Sequence, residues 1–313
     1  MVATSAQIGL MKIAIIVLNW NGKEYISKSL DMLKKLDTSD YQVEVVVVDN
    51  NSTDGSVKLI KTQYPKFHLI ENRENLGYAG GNNVGIRFAL ENGAEWIWIV
   101  NPDVLVDPQA LNELLKVATK YPRAGVLGPK IYFAPGYEFE KERYKKSELG
   151  KVLWFAGGRI DWDNVIAQHL GVNEVDHGQL DRLSQTDFVT GAALLLNAQM
   201  LKEIGLLDPK YFLYYEENDL CQRAVKNNWE LWYVPTSVVW HANAQATTAG
   251  STKVDYYTTR NRLLFGLRWS ASWRTKFALI RESVKLFFHG RPGQIKGVGD
   301  FYLNRFGEGL NVD

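Results

Sequence analysis

The feature that most constrains this chain is a series of short, largely apolar runs rich in β-branched residues, separated by helical stretches across residues 12–127: KIAIIVL, VEVVVVD, HLI, WIWIV and GVLG. A strand apolar on both faces must be covered on both faces, which predicts a mainly parallel sheet clad by helices. Helices are expected over 25–36, 52–63, 80–92 and 108–121, the last with Asp107 as its N-cap. Downstream, FVTGAALLL at 188–196 reads as a buried strand, 198–204 and 219–227 as helices, and LWYV at 231–234 as a late strand. The polar segment 134–150 reads as an excursion, either a surface loop or a mobile flap. The fold class is therefore α/β, and in such sheets ligands sit beyond the carboxyl ends of the strands.

A chain of 313 residues with 46% hydrophobic content buries a core easily, and its formal net charge of +1 gives no global sign of a nucleic-acid partner. The single cysteine, Cys221, rules out an intrachain disulfide framework and fits a reducing, cytoplasmic setting. Residues 1–11 lack the pattern of a secretion signal and read as a loose leader. No stretch reaches the roughly 18 apolar residues of a spanning helix, so any membrane contact is expected to be peripheral, at the inner face of the cell membrane. The expected division is one large domain over 12–252, with halves at 12–127 and 128–252, followed by a helical extension over 253–313.

Five segments carry candidate chemistry. An apolar strand ends in Asp49 before Asn50, Asn51, Ser52 and Asp54; a carboxylate there can accept from a uracil or thymine N3–H, or the segment is only a capping turn. ENLGYAGGNNVGIRFAL opens a helix with Gly77, Gly80 and Gly81, whose small size and free amides suit a ribose or diphosphate; a plain helix cap is the alternative. WIWIVNPDV places Asn101 and Asp103 at a strand end, where their oxygens can hold Mg²⁺ or Mn²⁺ bridging a diphosphate. Glu216, Glu217 and Asp219 crowd one helix start, where mutual repulsion raises at least one pKa and supplies a general base, unless they form only an acidic first turn. His241 ends a strand as a metal ligand or a packed side chain, ahead of a small-residue run that could close as a lid.

Taken in order, NWN, VVVDNNSTDGS, NLGYAGGNN, NPDV, TGAALLL, YEENDLCQRA, VVWH and YYTTRNRLLF resemble the family-2 inverting glycosyltransferases of the GT-A fold, and within them the rhamnosyltransferase-like branch that builds cell-surface polysaccharides. The resemblance spans about residues 12–265 and implies that 12–252 is the catalytic domain, with a nucleotide-binding half (12–127) and an acceptor-binding half (128–252). It implies that Asn19, Trp20 and Asp49 surround the nucleobase and ribose, and that Asn75, Gly77 and Asn82 lie near the nucleotide-sugar. It also implies that Asp103 is the principal metal ligand, with Asn101 in place of the first Asp of the family's D-x-D motif, and that His241 is a second ligand. The family's E-D-x-D motif stands here as Glu216, Glu217, Asn218 and Asp219, leaving Glu217 or Asp219 as the base. The donor so implied is a UDP- or dTDP-sugar, dTDP-rhamnose among them, and the acceptor a saccharide or a polyprenyl-linked glycolipid.

Other classes fit less well. A dehydrogenase is disfavoured because the glycines do not form G-x-G-x-x-G, and a nucleotidyltransferase because LNWNGKEY replaces the Gly-rich, Arg-containing loop it needs. A nucleotide-sugar-binding protein without transferase activity is the principal rival. Over residues 260–296, nine basic residues stand against the one acidic Glu282, with Trp273, Phe277, Ile280, Val284 and Phe287 at helical spacing. That pattern suits an anionic membrane surface, or equally packing on the core or on a second subunit as a homodimer.

Overall fold

The computed structural model describes residues 10–242 and 251–309. The chain runs β1 (Met11–Asn19), α1 (Ile26–Leu33), β2 (Tyr41–Asp49), α2 (Ser56–Gln63), β3 (His68–Glu71), α3 (Gly77–Glu91), β4 (Trp96–Val100), β5 (Val104–Val106), α4 (Ala110–Lys120) and β6 (Ala124–Phe133). It continues through β7 (Leu153–Phe155), β8 (Gly158–Asp161), β9 (Ile166–His169), β10 (Ser184–Gln185), β11 (Ala193–Asn197), α5 (Ala198–Ile204), α6 (Glu216–Lys226) and β12 (Glu230–His241). Three helices follow: α7 (Thr252–Trp269), α8 (Trp273–His289) and α9 (Pro292–Tyr302).

The main sheet has the strand order β10-β12-β6-β11-β4-β1-β2-β3. β3, β2, β1, β4, β6 and β12 share one direction, while β11 is inserted antiparallel between β4 and β6. Burial explains this centre: every residue of β4 is buried, and Ile13–Val17 and Val46–Val48 are at most 2% exposed. Side chains covered on both faces each contribute about 1.5–3 kcal/mol. The expected parallel α/β sheet is present, and β6 runs through the division anticipated at 127/128.

Several local expectations are corrected. Met11 is not leader but the first residue of β1, paired with Tyr41. Asp107 does not cap α4, whose N-cap is Gln109; its Oδ1 accepts from Gln109 N at 2.9 Å and shapes the preceding turn. Segment 188–196 is buried, but only Ala193–Asn197 pairs as a strand. The excursion at 134–150 is tied at both ends, because buried Glu138 accepts from Gly136 N and Gly150 N at 2.7 Å each, and Trp240 Nε1 donates to Gly150 O at 3.0 Å. The small-residue run expected as a lid lies largely at 243–250, outside the described residues.

Candidate active site

The centre of the site follows from a chain reversal after β4. Val104 N donates to Asn101 O (3.1 Å), closing the Asn101-Pro102-Asp103 turn, and Asn101 N is anchored on Ala192 O (2.9 Å). β5 then runs antiparallel to the end of β12, with Val104 opposite His241, while Ala242 N donates to Asp103 O at 2.8 Å. This register sets Asp103 Oδ2 3.2 Å from His241 Nε2. The imidazole is held edge-on to Trp154, with centroids 4.5 Å apart. Among the described residues, buried Asp103 Oδ1 and His241 Nδ1 have no hydrogen-bond partner. A buried polar atom left unpaired costs about 1–3 kcal/mol, so such atoms mark places where a ligand completes the structure.

A second cluster stands at the start of α6. The loop leading into it holds three aromatic residues in the left-handed region, Phe212 (φ 63°), Tyr214 (φ 69°) and Tyr215 (φ 73°). Each such conformation costs on the order of 1–3 kcal/mol and persists only where the surroundings impose it. Here α7 imposes it. Asn261 Nδ2 donates to the carbonyls of Tyr211, Leu213 and Tyr214 at 2.8, 2.8 and 2.9 Å, and Arg260 Nη2 donates to those of Lys210 and Tyr211 at 3.2 and 3.0 Å. Arg260 and Asn261 are fully buried, so Arg260 belongs to this brace and not to a solvated basic face.

The brace presents Glu216, which is buried, and Glu217, which is partly exposed. One oxygen of each, Oε2, has no hydrogen-bond partner. Burial pushes the Glu217 carboxyl up to about 7, and burial together with the Glu217 charge raises Glu216 well above the carboxylate range. Tyr78 joins the two clusters. Its hydroxyl donates to Gly191 O, and its pKa is raised by burial and by the charges of Glu216, Glu217 and Asp103.

Trp20, Asn50, Asn75, Gly77, Tyr78, Asn101, Asp103, Phe212 and Lys253 line one cleft at the carboxyl end of the sheet. Trp20 is 48% exposed, with Lys253 Nζ 4.8 Å from its ring centroid. Asn50 forms the floor, donating to Asn75 Oδ1 (3.2 Å) and Gly77 O (3.0 Å). Of the residues expected at the site, the structure thus gathers Trp20, Asn75, Gly77, Asn101 and Asp103 on this cleft, with His241 against Asp103. Glu216 and Glu217 do not line it but stand across Tyr78.

Four expected residues lie elsewhere. Asn19 is buried, and its Nδ2 donates to Asp49 Oδ1 (2.6 Å), Ser52 Oγ (3.1 Å) and Ser56 Oγ (2.8 Å); Asp49 also takes Ser52 N at 2.9 Å. This network ties β1 and β2 to the start of α2 and leaves neither side chain on the cleft. Asn82 is buried within α3, donating to Tyr78 O at 3.0 Å. Asp219 is fully buried and spends its oxygens on Arg223 Nε (2.9 Å), Arg268 Nη1 (2.8 Å), Trp269 Nε1 (2.8 Å) and Tyr211 OH (3.3 Å). These bonds tie α6 to α7 through Asp219 and leave its side chain away from the cleft.

The start of α3 also differs from expectation. Tyr78 N and Ala79 N both donate to Phe212 O (2.7 and 3.3 Å), and Gly77 N to Asn75 Oδ1 (2.9 Å), so these helix-start amides hold protein atoms and are not free for phosphate. Gly77 (φ +70°) is required because a Cβ there would fall 2.5 Å from the Phe212 ring and 2.6 Å from its carbonyl. Gly81 permits close packing of α3 on the sheet, since a Cβ would come within 2.5 Å of Leu18.

The donor set suits a hard divalent cation. Asp103 Oδ1 is an unpaired carboxylate oxygen, and His241 adds a nitrogen beside it. Among the described residues no third His, Cys, Asp or Glu joins them, so other ligands would come from a diphosphate or water. Sequence reasoning missed Tyr78 as a link, Lys253 on the cleft and the Arg260–Asn261 brace. A signal existed for the last: Arg260 follows Tyr256 and Tyr257 at i−4 and i−3, a spacing that places its guanidinium over both rings, 5.1 and 5.2 Å from their centroids.

Residues 14–172, just over half of the chain, match the family model described as Glycosyl transferase family 2. The chain is 31% identical over 221 residues to the N-acetylglucosaminyl-diphospho-decaprenol L-rhamnosyltransferase of Mycobacterium tuberculosis, covering 66% of this chain and 68% of that protein. It is 25% identical over 219 residues to the low-salt glycan biosynthesis hexosyltransferase Agl10 of Haloferax volcanii (69% and 62%). Among solved structures it superposes on GalNAc-T7 with UDP, GalNAc and Mn²⁺ at a TM-score of 0.63 and 14% identity, over 93% of this chain and 55% of that one. It superposes on Staphylococcus aureus TarS 1–349 at 0.56 and 17% identity, over 93% and 80%. These likenesses establish the GT-A fold, and the chain belongs to glycosyl transferase family 2.

Proposed function

We propose that this chain transfers a sugar from a nucleotide diphosphate sugar, a UDP- or dTDP-sugar such as dTDP-rhamnose, to an acceptor hydroxyl with inversion at the anomeric carbon. The acceptor is a saccharide or a polyprenyl-linked glycolipid presented at the cytoplasmic face of the cell membrane, in line with the decaprenol-linked substrate named for the mycobacterial relative. The observation that carries this reading is a set of three carboxylates, Asp103, Glu216 and Glu217, each with one buried oxygen unpaired among the described residues and each close enough for its charge to raise the Tyr78 pKa.

In this reading the donor occupies the cleft, with Trp20 and Asn75 at its nucleoside end and Asn101 near the diphosphate. Mg²⁺ or Mn²⁺ held by Asp103 and His241 would neutralise charge developing on the diphosphate leaving group. The acceptor hydroxyl approaches from the α6 side of Tyr78. Glu217 takes its proton as the oxygen attacks the anomeric carbon, and the nucleoside diphosphate leaves from the opposite face, so one displacement inverts the configuration. A base raised to about 7 is matched to this task, being substantially ionised near neutrality yet still a strong proton acceptor. Asp49 and Asn19 act behind the cleft, holding the loop that follows β2.

The test pairs binding with turnover. Thermal shift with UDP- and dTDP-sugars, with and without Mn²⁺, should show stabilisation by one donor that Mn²⁺ increases. Glu217→Gln should retain that shift and lose transfer. Normal turnover in this variant, or no shift with any donor, overturns the reading.

A further inference from the structure

Helix α8 is packed inside out. Its buried stripe holds two hydroxyl residues and one leucine, Thr275, Ser283 and Leu279, whereas the larger apolar set Trp273, Phe277, Ile280, Val284, Phe287 and Phe288 faces solvent. Trp273, Phe277 and Phe288 are 71%, 61% and 69% exposed. These six recur at steps of four, three, four, three and one, which at about 100° per residue is a single stripe along the helix. An amphipathic helix in a water-soluble setting buries such a stripe; one left open marks an interaction surface. The stripe continues onto α9 through exposed Tyr302 and Leu303, and an almost wholly apolar groove runs between the two helices.

Charge identifies the partner. Arg274, Arg281 and Lys285 follow one edge of the stripe and Lys276 the other, and among the described residues none of the four lies in an ion pair. The only acidic residue of α8, Glu282, is on the opposite face, neutralised by Arg262 at 2.9 Å. The other cations of the extension are committed inward: Arg260 is buried, Arg268 pairs with Asp208 and Asp219, Arg291 with Asp255 and Lys296 with Asp300. Apart from buried Arg260, and Lys253 over Trp20 on the cleft, the cations of the extension in no ion pair among the described residues thus border the apolar stripe, where Arg and Lys can reach anionic headgroups while the aromatic side chains enter the acyl boundary. No described helix is long and apolar enough to cross a membrane.

We infer that the α8–α9 face docks on the surface of an anionic lipid bilayer, lying in its interface, and so brings the catalytic cleft to a lipid-linked acceptor. The clause about the acceptor rests on the proposed transferase function; the docking itself does not.

The test is co-sedimentation of the full chain with vesicles of phosphatidylcholine alone or mixed in equal parts with phosphatidylglycerol, across a salt series. Binding is expected to the mixed vesicles, weakening with salt, with roughly a fivefold loss for each cation removed by Arg281→Gln and Lys285→Gln. Phe277→Glu together with Phe288→Glu, both on exposed positions, should abolish binding while leaving the melting temperature and turnover of a water-soluble acceptor unchanged. The inference is overturned if the parent does not bind mixed vesicles, or if the double Glu variant binds as the parent does. It is also overturned if light scattering shows a dimer that this variant splits, since the stripe would then seat a second copy. Vesicle binding by a chain that shows no shift with any donor would retain the docking and remove the transferase reading.

Discussion

Two polar networks lie at the same end of the sheet and differ in one respect. On the β1–β2 side, the Asn19 amide nitrogen and both oxygens of the Asp49 carboxylate are matched donor to acceptor with Ser52 and Ser56, and the atom left unpaired among the described residues is the neutral Asn19 amide oxygen. On the β4–β12 side, Asp103, His241, Glu216 and Glu217 each keep one buried atom without a partner. Both regions carry carboxylates at strand or helix termini, and both read alike as sequence. The difference teaches that a carboxylate with both oxygens matched holds the chain in place, whereas one with an unmatched buried oxygen carries a cost that a ligand can remove. Asp219 belongs to the first kind although it is two residues from Glu217.

The largest effect that would sharpen this comparison is on turnover. Glu217→Gln should lower transfer by about 10²–10⁴-fold, the usual contribution of a positioned base. Its melting temperature should stay at or above the parent's, because the glutamine oxygen can still accept from the backbone at the start of α6 and the buried charge is removed. A fall in stability with activity intact would assign Glu217 to the scaffold. Asp219→Asn should do the reverse, costing about 3 kcal/mol in denaturant unfolding by stripping Arg223 and Arg268 of a buried partner. Unchanged stability in that variant would break the distinction drawn between neighbouring carboxylates.

Asn19→Ala removes three donated hydrogen bonds and should cost about 2 kcal/mol, with KM for donor little changed once folded protein is compared. A large rise in KM at full stability would move Asn19 from the scaffold to the ligand.

The smallest effect is the pH dependence. The Glu217 value of about 7 lies above the ordinary 4.5, so the folded chain holds that proton more tightly than the unfolded one. The stability this contributes is complete below 4.5 and lost as pH rises through about 7. The melting temperature of the ligand-free protein should fall across that window, and fall less in Glu217→Gln, while kcat/KM rises over the same range. A flat parent profile would show that the carboxylate is not raised.

Much of the scaffold was legible. WIWIV is apolar at every position, and KIAIIVL and VEVVVVD carry uninterrupted apolar stretches at 13–18 and 45–48; only strands covered on both sides have use for such runs. The position of Asp103 and His241 was readable in part, because each follows such a run. The antiparallel insertion of β11 was not, since a five-residue apolar strand carries no mark of its direction. The Gly77–Gly81 turn was legible as a helix start but misleading as a phosphate site: a free amide and one filled by Phe212 O, more than a hundred residues away, look identical in sequence.

The C-terminal region shows the same boundary. Periodicity located the apolar stripe of α8, and composition located the excess of Arg and Lys. Which stripe turned inward, and which cations were consumed by Asp208, Asp219, Asp255 and Asp300, depended on partners distant in the chain.

The sequence by itself determined the α/β class, the strand ends where chemistry gathers and the chemical type of each candidate group, because periodicity and local charge are short-range properties. Only the tertiary structure decided which carboxylates are spent and which remain available. Burial and hydrogen-bond satisfaction are set by what packs across the fold, and that is why Glu217 and Asp219, alike in a four-residue motif, part company.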